Sequence, residues 1–535
     1  SLFNTVAGHS IPPFVVGDAT INGTAGAITN GTSISPNTLS PIQSFSGSFT
    51  QNDIQILTAS PTSNPINENS PPTLEQQEDL ADDLTQTQDE ELPTEIPQVE
   101  MDAVEGTSYD VAQLEETITD EFEAYLNLPD GTPKSAAGDA VNILEQIGAE
   151  TGIKPALVYA SFVPVSVATT PARVAQTKSL DEKLSPWAQL LKDPLANNDD
   201  QLELLVITAK GQPIRKLVAG ASRGEVLKAI QQFLGEITDP RKVRTTSYLP
   251  MAQRLYQWLI APVEADLKAQ GIGNLAYISD TGLRFVPLAA LHDGKQFLIE
   301  KFSVGLMPSL SLTDTRYTSL QNAEVLAMGA SEFAHLPPLP AVPTELAVIT
   351  RNIRKGPSFL NQAFTLENLK QQRQQNPYPI VHLATHSEFQ AGALSNSFIQ
   401  LWDTRLRLDQ IRQLGWSNPP VELLVLSSCR TALGNDDAEL GFAGFAVQAG
   451  VKSALASLWS VSDEGTLGLM TEFYRHLQTA PIKAEALRQA QIAMLKGQVL
   501  IEAGQLRGSR GSELILPATL AVGGTVPLSH PYYFT

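Results

Sequence analysis

The chain has 535 residues, enough for two or three domains, and its 42% hydrophobic content is ordinary for a globular protein. The net charge of −21 is placed unevenly: residues 1–133 hold 22 of the 57 acidic residues and neither Lys nor Arg, so the remainder is nearly neutral. No basic face is left for nucleic acid, no unbroken apolar run of 18 residues is left for a membrane-spanning helix, and the single cysteine makes neither an intrachain disulfide nor a cysteine zinc site.

Residues 1–58 carry only Asp18 and Asp53 as charges and are rich in Thr, Ser, Asn and Gly. Short alternations broken by Gly and Asn predict strands and tight turns. Gly26 and Gly31 have the spacing of a phosphate loop, but Thr32 stands where Lys is needed. The segment resembles the last rungs of the filamentous-haemagglutinin β-helices that some cyanobacterial proteins carry. The chain starts at Ser1 rather than Met and carries no basic-then-apolar leader, so it reads as a fragment or mature form of something longer.

Residues 59–108 are rich in Pro, Gln, Asp and Glu, which predicts a disordered acidic linker. Residues 109–200 read as a lead-in, with helices at Tyr109–Leu128 and Asp139–Gly152, a strand at Lys154–Val165 and a connector over Pro164–Asp200. From Gln201 the pattern becomes α/β. A hairpin is expected at Leu202–Thr208 and Pro213–Ala219, then helices at Arg223–Leu234 and Pro250–Gln270. Short apolar strands follow at Asn274–Ser279, Val325–Gly329, Pro379–Ala384, Val421–Leu426 and Val451–Leu458. Strands separated by helical patterns predict a mostly parallel sheet with helices on both faces.

Cys429 follows one apolar strand and His386 follows another, so both are expected at the C-terminal sheet edge, where open α/β sheets bind ligands. A thiolate is the attacking species, and a nearby imidazole takes its proton and later protonates an amine leaving group. The alternative for an isolated Cys is a buried small hydrophobe; the His 43 residues upstream on the same edge favours chemistry.

The stretch Val381-His-Leu-Ala-Thr-His-Ser-Glu-Phe resembles the histidine motif of CHAT domains, the caspase relatives found with tetratricopeptide repeats. Leu424-Val-Leu-Ser-Ser-Cys-Arg-Thr-Ala-Leu-Gly resembles their cysteine motif. Family-like segments also occur at Phe285–Gly294, Leu306–Leu312 and Ala456–Glu464, so the resemblance covers residues 201–535. It implies a caspase-like fold and a cysteine endopeptidase that acts on a protein substrate with no cofactor and no metal. His386 and Cys429 would form the dyad, and the backbone N–H groups of Ser387 and Cys429 the oxyanion hole. Ser427, two residues before the Cys, would line the P1 pocket with Trp459 and Asp463. Two features depart from the pattern: Ser387 stands where relatives usually have Gly, and the chain stops where they usually add a final strand. An inactive caspase-like interaction module is the alternative.

Four further features have competing readings. His382 and His386, four apart on a strand, are expected to face one side, with His382 a buried structural residue. Asp463 either grips a basic P1 side chain or caps the helix starting near Glu464. Asp436, Asp437 and Glu439 read as a solvated loop. Gly220-Ala-Ser-Arg-Gly fits a serine-hydrolase elbow, but Ser222 with Glu225 also makes a helix capping box. The uncharged segment, the acidic linker and the near-neutral domain together suggest an exported, surface-attached protein; a cytoplasmic signalling protease is the alternative.

Overall fold

The computed structural model describes residues 27–30, 37–38, 54–57, 111–128, 132, 135–164, 197–210, 212–431, 436–459, 461–509, 511, 513–520 and 524–535. The chain divides into two compact units, Ser1–Met101 and Asp102–Thr535. The expected acidic linker and most of the Pro164–Asp200 connector lie outside the described residues.

In the first unit, β1 (Ala27–Asn30), β2 (Asn37–Thr38) and β3 (Ile54–Leu57) form a sheet in the order β2-β1-β3. The described residues of this unit all lie in strands, as the composition suggests. These strands pair antiparallel, whereas stacked β-helix rungs pair in parallel.

The second unit is built on two main sheets. In the first, β4 (Pro155–Val163), β5 (Gln201–Thr208), β6 (Ile214–Ser222), β7 (Asn274–Ser279) and β8 (Ser303–Leu306) lie in the order β6-β5-β4-β7-β8. The expected hairpin is β5–β6. Helix α1 (Val111–Leu126) and helix α2 (Ala137–Thr151) precede this sheet. Helices α3 (Arg223–Ile237), α4 (Leu249–Leu259) and α5 (Ala261–Ala269) pack on it through Phe233, Leu255 and Val263. The single helix expected over 250–270 is two, because Ile260 leaves helical geometry just before Pro262.

The second sheet carries β9 (Val325–Gly329), β10 (Ser358–Leu360), β11 (Ile380–Phe389), β12 (Phe398–Gln400), β13 (Arg405–Arg407), β14 (Leu423–Thr431) and β15 (Ala454–Ala456). Its centre is the parallel run β10-β9-β11-β14-β15, and the antiparallel β12–β13 hairpin flanks the C-terminal half of β11. Parallel strands are covered on both faces, which is why they read as apolar runs. On one face, Val381, Leu383, Leu424 and Leu426 pack with Phe122 of α1 and with Phe445. On the other, Ile380, Ala384, Leu423 and Val425 pack with Leu346 of α6 (Val342–Ala347) and with Phe473 and Tyr474 of a later helix. This is the expected α/β class, a parallel sheet flanked by helices.

Three helices close the second sheet: α7 (Asp436–Ala443), α8 (Asp463–His476) and α9 (Lys483–Leu495). Beyond them, β16 (Leu500–Glu502), β17 (Gln505–Arg507), β18 (Glu513–Ile515) and β19 (Thr525–Pro527) form an antiparallel sheet in the order β18-β17-β16-β19. The C-terminal stretch contributes this sheet and then the turn Pro531–Tyr533. That turn is buried, with Trp459 Nε1 donating to the Tyr532 carbonyl and Gln491 Nε2 to the Phe534 carbonyl.

Candidate functional site

The site grows from the pairing of β11 with β14. Both strands run past their apolar stretches: β11 reaches Phe389 and β14 reaches Thr431, so His386 and Cys429 lie within strands rather than in the loops after them. The parallel register sets His386 opposite Ser428 and Ser387 opposite Cys429. His386 and Cys429 thus occupy diagonal neighbouring positions near the C-terminal ends of adjacent parallel strands.

His386 is partly exposed, and its surroundings come from the segment after β9. Its Nε2 lies 2.8 Å from the Pro337 carbonyl oxygen, and the Phe333 ring lies 4.8 Å away, tilted by 57°. A carbonyl only accepts, so Nε2 carries the hydrogen of this contact and the neutral ring holds its lone pair at Nδ1. Sequence reading missed both partners, because 49 residues separate Pro337 from His386 and no local pattern marks the contact.

His382 behaves differently. One extra residue enters β11 between Leu383 and His386, so strict alternation does not carry from one histidine to the other. His382 is fully buried, with Nδ1 3.2 Å from the Tyr474 hydroxyl and Nε2 3.0 Å from Glu345 Oε1. It belongs to the interior, as its apolar neighbours suggested.

The remaining expected residues are spread around this centre. Ser387 is buried and has register partners on both sides, Cys429 on β14 and Ile399 on β12. Ser427 is buried, and its Oγ makes no hydrogen bond among the described residues. Trp459 is buried in the core that holds the C-terminal turn. Asp463 is the first residue of α8 and not its cap: Ser462 Oγ accepts from the Gly465 N–H at 3.1 Å. The Asp463 carboxylate instead accepts from the Ala341 N–H at 3.0 Å, at the start of α6. Burial lifts its pKa to about 6.

Glu439 corrects the solvated-loop reading. It lies on α7 with 2% exposure, its carboxylate accepting the N–H groups of Gly282 and Arg284 at 2.8 and 2.6 Å. Arg284 is buried too and pairs with Glu121 of α1 at 2.5 Å. Ser222 caps α3, its Oγ accepting from Glu225 N at 3.4 Å, at the end of an edge strand. That is the capping reading and not the strand-to-helix elbow of a hydrolase.

The family model for the CHAT domain matches residues 249–533, more than half of the chain and the whole of the second sheet. The chain belongs to the CHAT domain family. No curated protein matches it. The CHAT domain is a caspase-like, protease-related domain, and both strands that bear His386 and Cys429 fall inside the matched span. Residues 111–248, outside that span, supply α1 under the second sheet and three strands of the first. Among the described residues, no group of His, Cys, Asp and Glu could hold a metal ion, and no helix is long and apolar enough to cross a membrane.

Proposed function

We propose that this CHAT protein is a cysteine endopeptidase with a His386–Cys429 dyad. The observation that carries the reading is the orientation of His386: with Nε2 held by the Pro337 carbonyl, the basic Nδ1 is the nitrogen left for a thiol on the neighbouring strand. A nucleophile, its base and a third group that orients the base are the parts such chemistry needs. Nδ1 takes the thiol proton of Cys429, and the resulting thiolate attacks the substrate carbonyl carbon. The tetrahedral oxyanion is received by the N–H groups of Cys429 and Ser387. The imidazolium then protonates the departing amine, and water hydrolyses the acyl-enzyme. Ser427, Trp459 and Asp463 set the P1 preference.

A second reading, a caspase-like module that binds a partner without cleaving it, is favoured by one observation. Ser387 lies between two paired strands, so an oxyanion must draw on an N–H inside a sheet. A thiol-directed probe separates the two. Labelling of Cys429 in the wild type that falls by at least tenfold in His386→Ala supports the protease, together with loss of peptide cleavage in Cys429→Ala. Equal labelling of wild type and His386→Ala supports the interaction module. In an enzyme the losses in the single and double variants should be of similar size, because residues acting as a unit do not add.

The wider reading is a domain series: a haemagglutinin-like end at 1–58, an acidic tether at 59–108, a lead-in at 109–200 and the protease at 201–535. Composition supports an exported, surface-attached protein of cyanobacterial type, with a cytoplasmic location the alternative. The antiparallel β1–β3 pairing leaves the β-helix part resting on composition alone.

A further inference from the structure

A cavity of about 210 Å³ opens among the segments that lead into β9, β15 and α9, near the N-terminal edge of the parallel sheet and away from the strand ends that bear His386 and Cys429. Its wall is mostly apolar, with Met307, Leu477, Ala480 and Ile482 among the lining side chains. Into this wall come two lysines, Lys452 and Lys483, with Asp314 and Arg316 at the same cavity.

The charges there do not balance. Arg316 is paired with Asp314 at 2.6 Å, and Lys452 with Glu422 at 2.9 Å and more distantly with Asp314. Among the described residues, Lys483 has no carboxylate within ion-pair distance, and its Nζ donates to the Glu422 main-chain oxygen at 3.2 Å. Among these residues three cations thus face two carboxylates, and the surplus sits on Lys483. Burial is the main cause that brings this ammonium down to about 8, with Lys452 adding to the effect and Glu422 and Asp314 partly offsetting it. A cation held in an apolar wall without its own counter-ion favours an incoming anion. The space suits a small one: an apolar cavity of about 150 Å³ takes benzene.

We propose that this cavity is a binding site for a small monocarboxylate, whose carboxylate pairs with the Lys483 ammonium while its apolar body lies against Leu477, Ala480 and Ile482. The site is independent of the dyad, and nothing in the proposed cleavage uses Lys483. One negative charge neutralises the surplus, whereas a dianion would overcompensate beside Asp314 and Glu422.

The test uses benzoate and benzamide, which differ in charge and little in shape, in calorimetric titrations of the full chain. Benzoate should bind at least tenfold more tightly than benzamide at pH 7, and Lys483→Met should remove that difference. Affinity for benzoate should fall as pH rises from 7 to 9.5, because the amine loses the proton that pairs with the ligand. Equal binding of the two compounds to the wild type, or benzoate affinity within twofold of wild type in Lys483→Met, overturns the proposal. If that variant does not fold, the wild-type series decides: benzoate affinity unchanged between pH 7 and pH 9.5 overturns it, and a fall of tenfold or more supports it.

Discussion

Asp463 is a carboxylate whose surroundings oppose its charge. Burial is the main cause of its raised pKa, Glu345 and Glu464 add to it, and the single N–H of Ala341 offsets only part. The sign of the effect on stability follows from proton counts. Between the ordinary aspartate value near 4 and about 6, the folded chain holds a proton that the unfolded chain has lost. Stability therefore falls as pH rises through that window and levels off above it. Asp463→Asn keeps an acceptor for the Ala341 N–H and removes the charge. Urea unfolding of this variant should match the wild type at pH 4 and show greater stability at pH 7. A variant that matches the wild type at pH 4 and is less stable at pH 7 would show that the ionised form is needed by the fold. A basic P1 side chain would bring the missing counter-ion. A peptide library in which Asp463→Ala retains a full preference for Lys or Arg at P1 would remove Asp463 from the pocket.

At the scale of elements, α7 is anchored to the rest of the unit by Glu439, which satisfies two N–H groups in the turn after β7. Arg284, in the same turn, reaches back to Glu121 and donates from Nε to the Ser279 carbonyl, with its guanidinium 4.9 Å from the centre of the Phe122 ring. Glu439→Ala leaves the two N–H groups unpaired and should cost about 2–4 kcal/mol. Chemical denaturation measures it, and a loss below about 1 kcal/mol would show that the turn finds other acceptors. The same elements show what was legible in the sequence. The central parallel strands β9, β11 and β14 were, because burial on both faces writes an uninterrupted apolar run; the edge strands β8 and β10 were not, because they are only partly buried. The extents of β11 and β14 were not, because both strands continue through polar residues such as His386, Ser387, Ser427 and Cys429 that end the run without ending the pairing. Conversely, β15 is shorter than its run, because only Ala454–Ala456 pair with β14. The Glu439 anchor was illegible because its partners are main-chain groups some 155 residues away, and an acidic run beside a turn carries no mark of burial. The placement of His386 and Cys429 near the C-terminal ends of neighbouring strands was legible because each follows such a run; the Pro337 and Phe333 contacts were not, since nothing in their own segment points to an imidazole.

For the whole molecule, the distribution of charge carries the prediction. All 36 basic residues follow residue 133, and 22 acids precede it. A chain exported with an acidic tether should be found at the cell surface or outside it, and the tether should be its most easily cut segment. Fractionation of the native organism, with antibodies to the CHAT domain, should recover the protein in the surface or extracellular fraction. Recovery in the cytosol alone would remove the export reading and leave the dyad untouched. Since residues 59–108 hold neither Lys nor Arg, a protease restricted to basic P1 residues has no site there for self-release. Limited proteolysis by trypsin should likewise spare that stretch, while glutamyl endopeptidase should cut it.

The oxygen that steadies the His386 ring belongs to the main chain of residue 337, an atom every amino acid carries. Substitutions made one side chain at a time pass over it, and an alanine scan would return no entry for this interaction however much it contributes. Any residue at 337 that keeps the path of the backbone between β9 and α6 supplies the same oxygen, so the interaction is a property of that path and not of a letter of the sequence. Reaching that atom takes chemistry rather than genetics alone: replacing the carbonyl oxygen of residue 337 with sulfur, as a thioamide, weakens it as an acceptor and leaves every side chain as it was.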